Sequence, residues 1–122
     1  GEGGSGGALA IGMGDSLMML QYSIYTVISP EACSSILWRN PDETEIAADS
    51  MGLSAGRLSK LGVVDQVIKE PTGGFHRDPV LIYQSISKAI VDEVRLLSNM
   101  NMSDLLEQRR VKFRAIGQFK EI

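Results

Sequence analysis

The sequence predicts an α/β fold in which short strands alternate with several packed helices. Three observations support this prediction. A glycine-rich segment runs directly into apolar residues at the start, apolar and partly β-branched runs of strand length recur later, and helix-start signals that combine a capping side chain with proline appear three times.

Residues 1–7, Gly-Glu-Gly-Gly-Ser-Gly-Gly, form a predicted loop that leads into a short helix over residues 6–13. The first amides of a helix lack intrahelical partners and lie at the positive end of its dipole, so this junction is an anion-binding arrangement. Small residues predict close backbone neighbours, and Gly12 or Gly14 is expected to end the helix at positive φ. The segment lacks the Gly-Lys-Ser/Thr ending of a phosphate loop and the spacing of a dinucleotide fingerprint, which favours an oxyanion as the ligand.

Two apolar runs, residues 17–20 and 24–28, predict strands and therefore a buried sheet. Ser29-Pro30-Glu31 then predicts a helix to about Trp38, because it supplies an N-cap, a first-turn proline and a first-turn acid. Residues 40–43, Asn-Pro-Asp-Glu, repeat this pattern for a helix to about Met51 that ends at Gly52.

Ser54 is the expected cap of a helix through Lys60, stopped by Gly62. Residues 63–68 predict a strand that ends before Pro71, and residues 72–74 a turn.

Asp78 and Pro79 begin the longest predicted helix, and an apolar stripe along it predicts a face covered by other parts of the protein. The stripe consists of Tyr83, Ile86, Ile90, Val94 and Leu97. Ser103 with Asp104 opens a last helix, with Gly117 as its left-handed C-cap.

The 122 residues carry a net charge of −3, with 43% hydrophobic and 22% charged residues, as in an ordinary globular domain. This balance gives no electrostatic footprint for nucleic acid, and the basic residues near the end are interpreted as a solvated helix face. They are Arg109, Arg110, Lys112 and Arg114. The single Cys33 excludes an intrachain disulfide, and no membrane-spanning run is present, so we expect a cytoplasmic protein.

Several side chains allow both a chemical and a structural interpretation. His76 can serve as a base or bind phosphate beside Arg77, but a structural hydrogen bond is favoured. Cys33 is expected to be a small buried residue rather than a nucleophile. Glu31 is better explained by the helix dipole than by acid-base work with Glu2. No metal site is supported.

Five segments of the sequence are distinctive when taken in order: Gly-Glu-Gly-Gly-Ser-Gly-Gly-Ala-Leu-Ala at 1–10, Leu-Gln-Tyr-Ser-Ile-Tyr-Thr-Val-Ile-Ser-Pro-Glu at 20–31, residues 33–38, Met-Gly-Leu-Ser-Ala at 51–55 and Gly-Gly-Phe-His-Arg at 73–77. Together they closely resemble the carboxyltransferase alpha subunit of bacterial acetyl-CoA carboxylase. The resemblance covers nearly the whole chain and weakens over residues 80–99. One departure is Ala32, where the family usually has glycine. Because alanine favours a helix, this difference does little to weaken the resemblance.

The resemblance implies a crotonase-like (ClpP/crotonase) fold, of which residues 1–122 are the C-terminal part and residues 79–117 a helical region. It implies transfer of a carboxyl group from carboxybiotin, held on the biotin carboxyl carrier protein, to acetyl-CoA, giving malonyl-CoA for fatty-acid synthesis. The implied partners are the carboxyltransferase beta subunit in a heterotetramer, the carrier protein and biotin carboxylase.

For the site, the resemblance implies that the Gly6 and Gly7 amides form an oxyanion hole for the ureido oxygen of biotin. Gly3, Gly4 and Tyr22 are the expected cofactor-binding residues, although Tyr22 and Tyr25 also suit core or cross-strand positions. Biotin then serves as the base, so no catalytic side chain is expected.

The chain has no initial Met and starts inside this motif, so we expect a fragment that is inactive alone and self-associates through uncovered apolar surface. Without a preceding strand, the glycine-rich loop is expected to lack support. Two alternatives stay open: another crotonase-like acyl-CoA enzyme, such as a hydratase or biotin-dependent decarboxylase, and a non-catalytic assembly module.

Overall fold

A computed structural model describes residues 1–117 and has the α/β composition that the sequence predicts. Four short strands and six α-helices follow one another, with 3₁₀ turns at Pro41–Glu43 and Phe75–Arg77. The strands are β1 (Glu2–Gly4), β2 (Met18–Leu20), β3 (Ile24–Thr26) and β4 (Gln66–Ile68); the helices are α1 (Ser5–Gly12), α2 (Pro30–Leu37), α3 (Thr44–Met51), α4 (Ala55–Lys60), α5 (Pro79–Ser98) and α6 (Met102–Ala115).

The strands form two parallel pairs instead of the single buried sheet that was predicted. β1 pairs with β3, with Gly3 opposite Tyr25, and β2 pairs with β4, with Met19 opposite Val67. The predicted loop at the start is therefore partly a strand. The expectation that the glycine-rich segment lacks support is wrong, because β3 holds it through a parallel ladder.

Helix α1 ends differently from the prediction. Neither Gly12 nor Gly14 has positive φ; the C-cap is Met13 in the right-handed region, and its amide bonds the carbonyl of Ala10. A Cβ at Gly12 would lie 2.6 Å from the hydroxyl of Tyr25, so glycine is required there for close approach. The prediction of close neighbours is confirmed at this point, although Leu9 and Ile11 are exposed.

The predicted cap of α2 is confirmed, whereas Asn40 caps the 3₁₀ turn Pro41–Glu43, and α3 begins after Glu43 with no side-chain cap. The Ser29 hydroxyl accepts a hydrogen bond from the Ala32 amide at 3.2 Å, and the Asn40 side chain accepts one from Asp42. Gly52 ends α3 at φ 62°. Buried Ser34 donates a hydrogen bond to the Asn40 carbonyl, which fastens α2 to the following turn. Cys33 is only partly buried, so the expectation of a buried cysteine holds in part.

The core has two apolar clusters, one on each side of β2 and β4. Leu17, Met19, Ala55, Leu58 and Val64 form the first, against which Tyr25 packs. Ile68, Ile82 and Ala89 form the second. Ser54 holds the cap position of α4 without a side-chain hydrogen bond, and Gly62 follows the helix at φ 74°.

The start of α5 is as predicted, but its buried face matches the predicted stripe only in part: Ile86 of the stripe packs against the second core cluster. Asp78 caps the helix by accepting a hydrogen bond from the Leu81 amide at 3.0 Å. Ile82 and Ala89 are buried, whereas Tyr83, Ile90 and Val94 of the predicted stripe are at least half exposed. Apolar residues occur on several sides of α5, so helical spacing alone does not select the side that meets β4.

Helix α6 is fastened by ion pairs, which corrects the interpretation of its basic residues as a solvated face. Arg109 binds Asp15 through two 2.6 Å hydrogen bonds, and Lys112 lies 2.5 Å from Asp65 and 3.1 Å from the Asp15 carbonyl. Arg110 and Arg114 stay exposed.

The hydrogen bonds from Arg109 lower the pKa of the Asp15 carboxyl below its ordinary 3.8, the positive charges of Arg109 and Lys112 add to this, and partial burial opposes it. The same pair raises the pKa of Arg109. The Asn101 side chain, not Ser103, caps α6. Gly117 has positive φ, but Ile116 before it is extended, so the helix has already ended at Ala115.

No helix within residues 1–117 is long and apolar enough to cross a membrane.

Candidate functional site

The candidate site is the turn at which β1 becomes α1. Gly4 is extended, with φ −135° and ψ 159°, and Ser5 turns the chain at φ 52°, in the left-handed region. No side chain caps α1. The amides of Gly6 and Gly7, in the first turn of α1, therefore receive no side-chain acceptor from the capping position, and they lie at the positive end of the helix.

Gly6 and Gly7 are exposed, and their surroundings give no structural reason for glycine. A Cβ added to either would meet no described atom within 4 Å, and neither has positive φ. Glycine in a helix also costs stability relative to alanine, by about 0.5–1 kcal/mol in the interior. What the two glycines do provide is unobstructed access to their amides.

A groove of about 520 Å³ lies beside this turn. Gly3, Gly4 and Ser5 line one side of it, and Thr26 and Ile28 line another. Ser29 and Pro30 at the start of α2 also border it, together with Glu2, Ile24 and Leu53. Two of the three predicted cofactor-binding residues, Gly3 and Gly4, are therefore in one groove next to the proposed amide pair.

Tyr22, the third predicted cofactor-binding residue, does not line this groove. Its side chain is 57% exposed in the turn before β3, and its amide donates a 2.7 Å hydrogen bond to Glu70. Its role in binding stays a prediction. Tyr25 instead packs against the core cluster and donates a hydrogen bond to the Ala8 carbonyl, as expected of a core residue.

Ser5 is a feature of the site that the sequence reasoning missed. The segment Gly3-Gly4-Ser5-Gly6-Gly7 has the Gly-x-Ser-x-Gly spacing of a strand-to-helix turn that exposes a serine, and that spacing was the available signal. A serine nucleophile needs a neighbouring base. Within residues 1–117, Glu2 is the only ionisable residue that lines the groove, so the arrangement favours anion binding by amides over attack by Ser5.

The other candidates lie outside the groove. His76 is in a 3₁₀ turn, and its side chain forms no hydrogen bond to any residue in the described range, which corrects the expected structural hydrogen bond. Arg77 packs over Gly73, where an added Cβ would lie 3.0 Å from its side chain. Glu31 occupies the first turn of α2, as predicted. Across residues 1–117, no three His, Cys, Asp or Glu side chains are grouped to hold a metal ion.

These observations define the chain as an α/β protein that presents unpartnered backbone amides at a glycine-rich strand-to-helix turn beside a groove. Such amides are typical of sites that bind a phosphate, a carboxylate or an oxyanion formed during reaction.

The chain belongs to the family described as acetyl co-enzyme A carboxylase carboxyltransferase-like, which matches residues 1–117. It is similar to proteins named acetyl-coenzyme A carboxylase carboxyl transferase subunit alpha: 52% identical over 122 residues in Azoarcus sp. (strain BH72), 50% over 122 in Nitrosospira multiformis and 48% over 121 in Aromatoleum aromaticum. These matches cover 99–100% of this chain and 38% of each relative, so the chain spans about two fifths of the length of these curated relatives.

Proposed function

We propose that this chain forms the amide-bearing part of a carboxyltransferase alpha subunit within acetyl-CoA carboxylase. Membership of the family and the identities of about 50% to subunits of that name support the proposal. The observation that carries the role of the site is the pair Gly6 and Gly7, which have free amides and no local need for glycine.

The residues of the groove suit a small, largely apolar ring with a polar oxygen. Ile24, Ile28 and Leu53 supply apolar contact, and the glycines of β1 let a ligand approach the backbone closely. When bound, carboxybiotin supplies the carboxyl group that is transferred to acetyl-CoA, which yields malonyl-CoA. The Gly6 and Gly7 amides donate hydrogen bonds to the ureido oxygen, where negative charge collects as the carboxyl group leaves.

Because these amides are fixed in the first turn of α1, they need little reorganisation when the charge develops. The β1–β3 ladder supports that turn from one side. Removing one preorganised donor of this kind costs about a hundred- to a thousand-fold in rate. No acid or base side chain is required of this chain, because Gly6 and Gly7 act through backbone groups alone.

The assembly follows the subunit name of the relatives. We propose that the protein acts with a beta subunit that supplies the thioester side of the site, with the biotin carboxyl carrier protein and with biotin carboxylase, in the cytoplasm. The parallel strand pairs, each joined through helices, support a crotonase-like fold, with residues 1–122 as its C-terminal part and residues 79–117 as a helical region.

The test uses a chimera in which residues 1–122 replace the matching segment of the Azoarcus subunit, assembled with the beta subunit of that organism. Gly6→Val and Gly7→Val add bulk beside the amides without removing them. Gly56→Val is the matched control, since Gly56 is also in the first turn of a helix, with no described atom within 4 Å of an added Cβ, and lines neither side of the groove.

We expect the Gly6→Val and Gly7→Val variants to lose about a hundred-fold or more in carboxyl transfer, with assembly intact. Gly56→Val is expected to retain activity. If the Gly6 and Gly7 variants match the Gly56 control, the proposed role of the amides is wrong. If they lose assembly and keep turnover per assembled complex, the assembly-module alternative is supported instead.

A further inference from the structure

Tyr25 joins the two elements that carry the proposed amide pair. It lies in β3 directly opposite Gly3 of β1, and its hydroxyl donates a 2.5 Å hydrogen bond to the carbonyl of Ala8 in α1. Its own amide donates to the Leu53 carbonyl at 3.2 Å. Through its side chain and its backbone, Tyr25 therefore connects β3 to α1 and to the first core cluster.

Two glycines make room for this ring. An added Cβ at Gly12 would lie 2.6 Å from the Tyr25 hydroxyl, and one at Gly3 would lie 3.2 Å from its Cδ2 atom. Neither glycine has positive φ, so the need is for space and not for an unusual backbone conformation. The tyrosine and the two glycines form a fitted contact between β1, β3 and α1.

The hydrogen-bond acceptor on α1 is next to the site. Ala8 directly follows Gly7, and α1 is only two turns long, so a shift of Ala8 moves the Gly6 and Gly7 amides with it. Ala8 is also the one buried residue of α1, whereas Leu9 and Ile11 on the same helix are exposed. With so little packing, α1 depends on the contact at Ala8 for its rotation and its position along its axis.

We propose that Tyr25 is a positioning residue for carboxyl transfer. Its hydroxyl, which donates a hydrogen bond to the Ala8 carbonyl and lies against Gly12, holds α1 so that the Gly6 and Gly7 amides are at the distance from the developing oxyanion that the transition state requires. This inference rests on the proposed function of that amide pair. A misplacement of about 1 Å at such a site costs about a hundred-fold in rate. The ground-state complex depends less on the same distance, so substrate binding changes little.

The test is a double-mutant cycle in the same chimera, assembled with its beta subunit. Tyr25→Phe removes only the hydroxyl, and Gly12→Ala displaces it. Each is expected to lower kcat by about ten- to a hundred-fold while KM for malonyl-CoA and for biotin stays within about twofold. The double variant Tyr25→Phe/Gly12→Ala is expected to have a kcat no lower than that of Tyr25→Phe alone, because the hydroxyl with which the added methyl group would clash is gone. The Cβ at position 12 would then lie 3.9 Å from the ring Cζ at position 25.

Tyr83→Phe is the control, because Tyr83 is 59% exposed on α5 and is remote from this contact in its packing against Phe75. It should leave kcat unchanged. A second measurement uses the chain itself, with ¹⁵N-glycine labelling. Tyr25→Phe is expected to shift the Gly6 and Gly7 amide resonances and to leave those of Gly56 and Gly62 in place.

The proposal is overturned if Tyr25→Phe keeps kcat within twofold of the parent, if it acts through KM alone, or if the effects of the two substitutions simply add. It is also overturned if the Gly6 and Gly7 resonances do not move. Failure of the amide proposal gives a different pattern: Gly7→Val is then active, while the resonance shifts on Tyr25→Phe still report the positional link.

Discussion

Arg109 and Asp15 are 94 positions apart in sequence and meet in a two-pronged ion pair, with Nε on Oδ1 and Nη2 on Oδ2, each at 2.6 Å. Their side chains are 33% and 20% exposed, so the pair is shielded from solvent more than an ordinary surface salt bridge. With Lys112 on Asp65, it is the polar attachment of α6 to the loops before β2 and β4.

Asp15→Asn is expected to loosen α6 without unfolding the rest, because the substitution removes the charge that Arg109 and Lys112 share. The measurement is amide hydrogen exchange over residues 102–115, which we expect to become several-fold faster. Asp92→Asn is the matched control, since Asp92 pairs with Lys88 on the exposed side of α5. Equal exchange in α6 for both variants would show that the ion pair does not hold the helix.

Acid is expected to release α6 in the unsubstituted chain. The pKa of Asp15 is lower in the folded protein than its ordinary 3.8, so the unfolded state binds more protons in that range. The stabilisation is then fully present above pH 3.8 and is lost as the pH falls through the lower folded value. Exchange in α6 measured as a function of pH should lose this acid-dependent step in Asp15→Asn, and a step of unchanged size would contradict the assignment.

Ile82→Ala is expected to destabilise the protein by about 2–5 kcal/mol, because Ile82 of α5 is fully buried within the second core cluster. Ile90→Ala, at a position of α5 that is 50% exposed, should cost well under half as much. Urea unfolding of both variants measures the difference in the free energy of unfolding. A larger loss of unfolding free energy for Ile90→Ala than for Ile82→Ala would contradict this buried face and support the apolar stripe that the sequence predicts.

The isolated 122-residue chain is expected to show no carboxyl transfer, because it spans 38% of the relatives that carry the subunit name. The assay is malonyl-CoA decarboxylation in the presence of biotin, with the assembled Azoarcus subunits as the positive control. Turnover by the isolated chain above the protein-free rate would refute this expectation.

The same chain is expected to self-associate. Leu9, Val27 and Val80 are 68%, 73% and 66% exposed, and both strand pairs are only two strands wide. Sedimentation velocity over a range of concentrations should show species heavier than 13.2 kDa. A strictly monomeric profile at all concentrations would rule this out.

The parts of the fold that local chemistry decides were predictable from the sequence. Ser29 and Asp78 each cap the helix that was expected to follow, and Asn40 caps the 3₁₀ turn that leads into α3, because a capping hydrogen bond spans only two or three residues. Gly52 and Gly62 likewise end α3 and α4 in the left-handed region. The position of Gly6 and Gly7 at a helix start follows from the same short-range signals.

The remaining parts depend on contacts between distant residues. Glycine has low strand propensity, so β1 forms only because β3 is there to pair with it. No local pattern identifies Asp15 as the partner of Arg109, and the buried side of α5 is chosen by Ile68 of β4. The groove beside the site, and the position of Tyr22 outside it, also depend on contacts between distant residues, so the sequence does not predict them.

The order of the strand pairs has a consequence for how the chain reaches its folded state. β2 lies between β1 and β3 in sequence, and β3 lies between β2 and β4, so the two pairings interlock along the chain. Any cut between residues 4 and 66 separates at least one strand from its partner. A piece that contains β1 and β3 also contains β2, and without residues 66–68 it leaves β2 unpaired. The pairing of β2 with β4 closes a long loop, and such non-local contacts form slowly in folding.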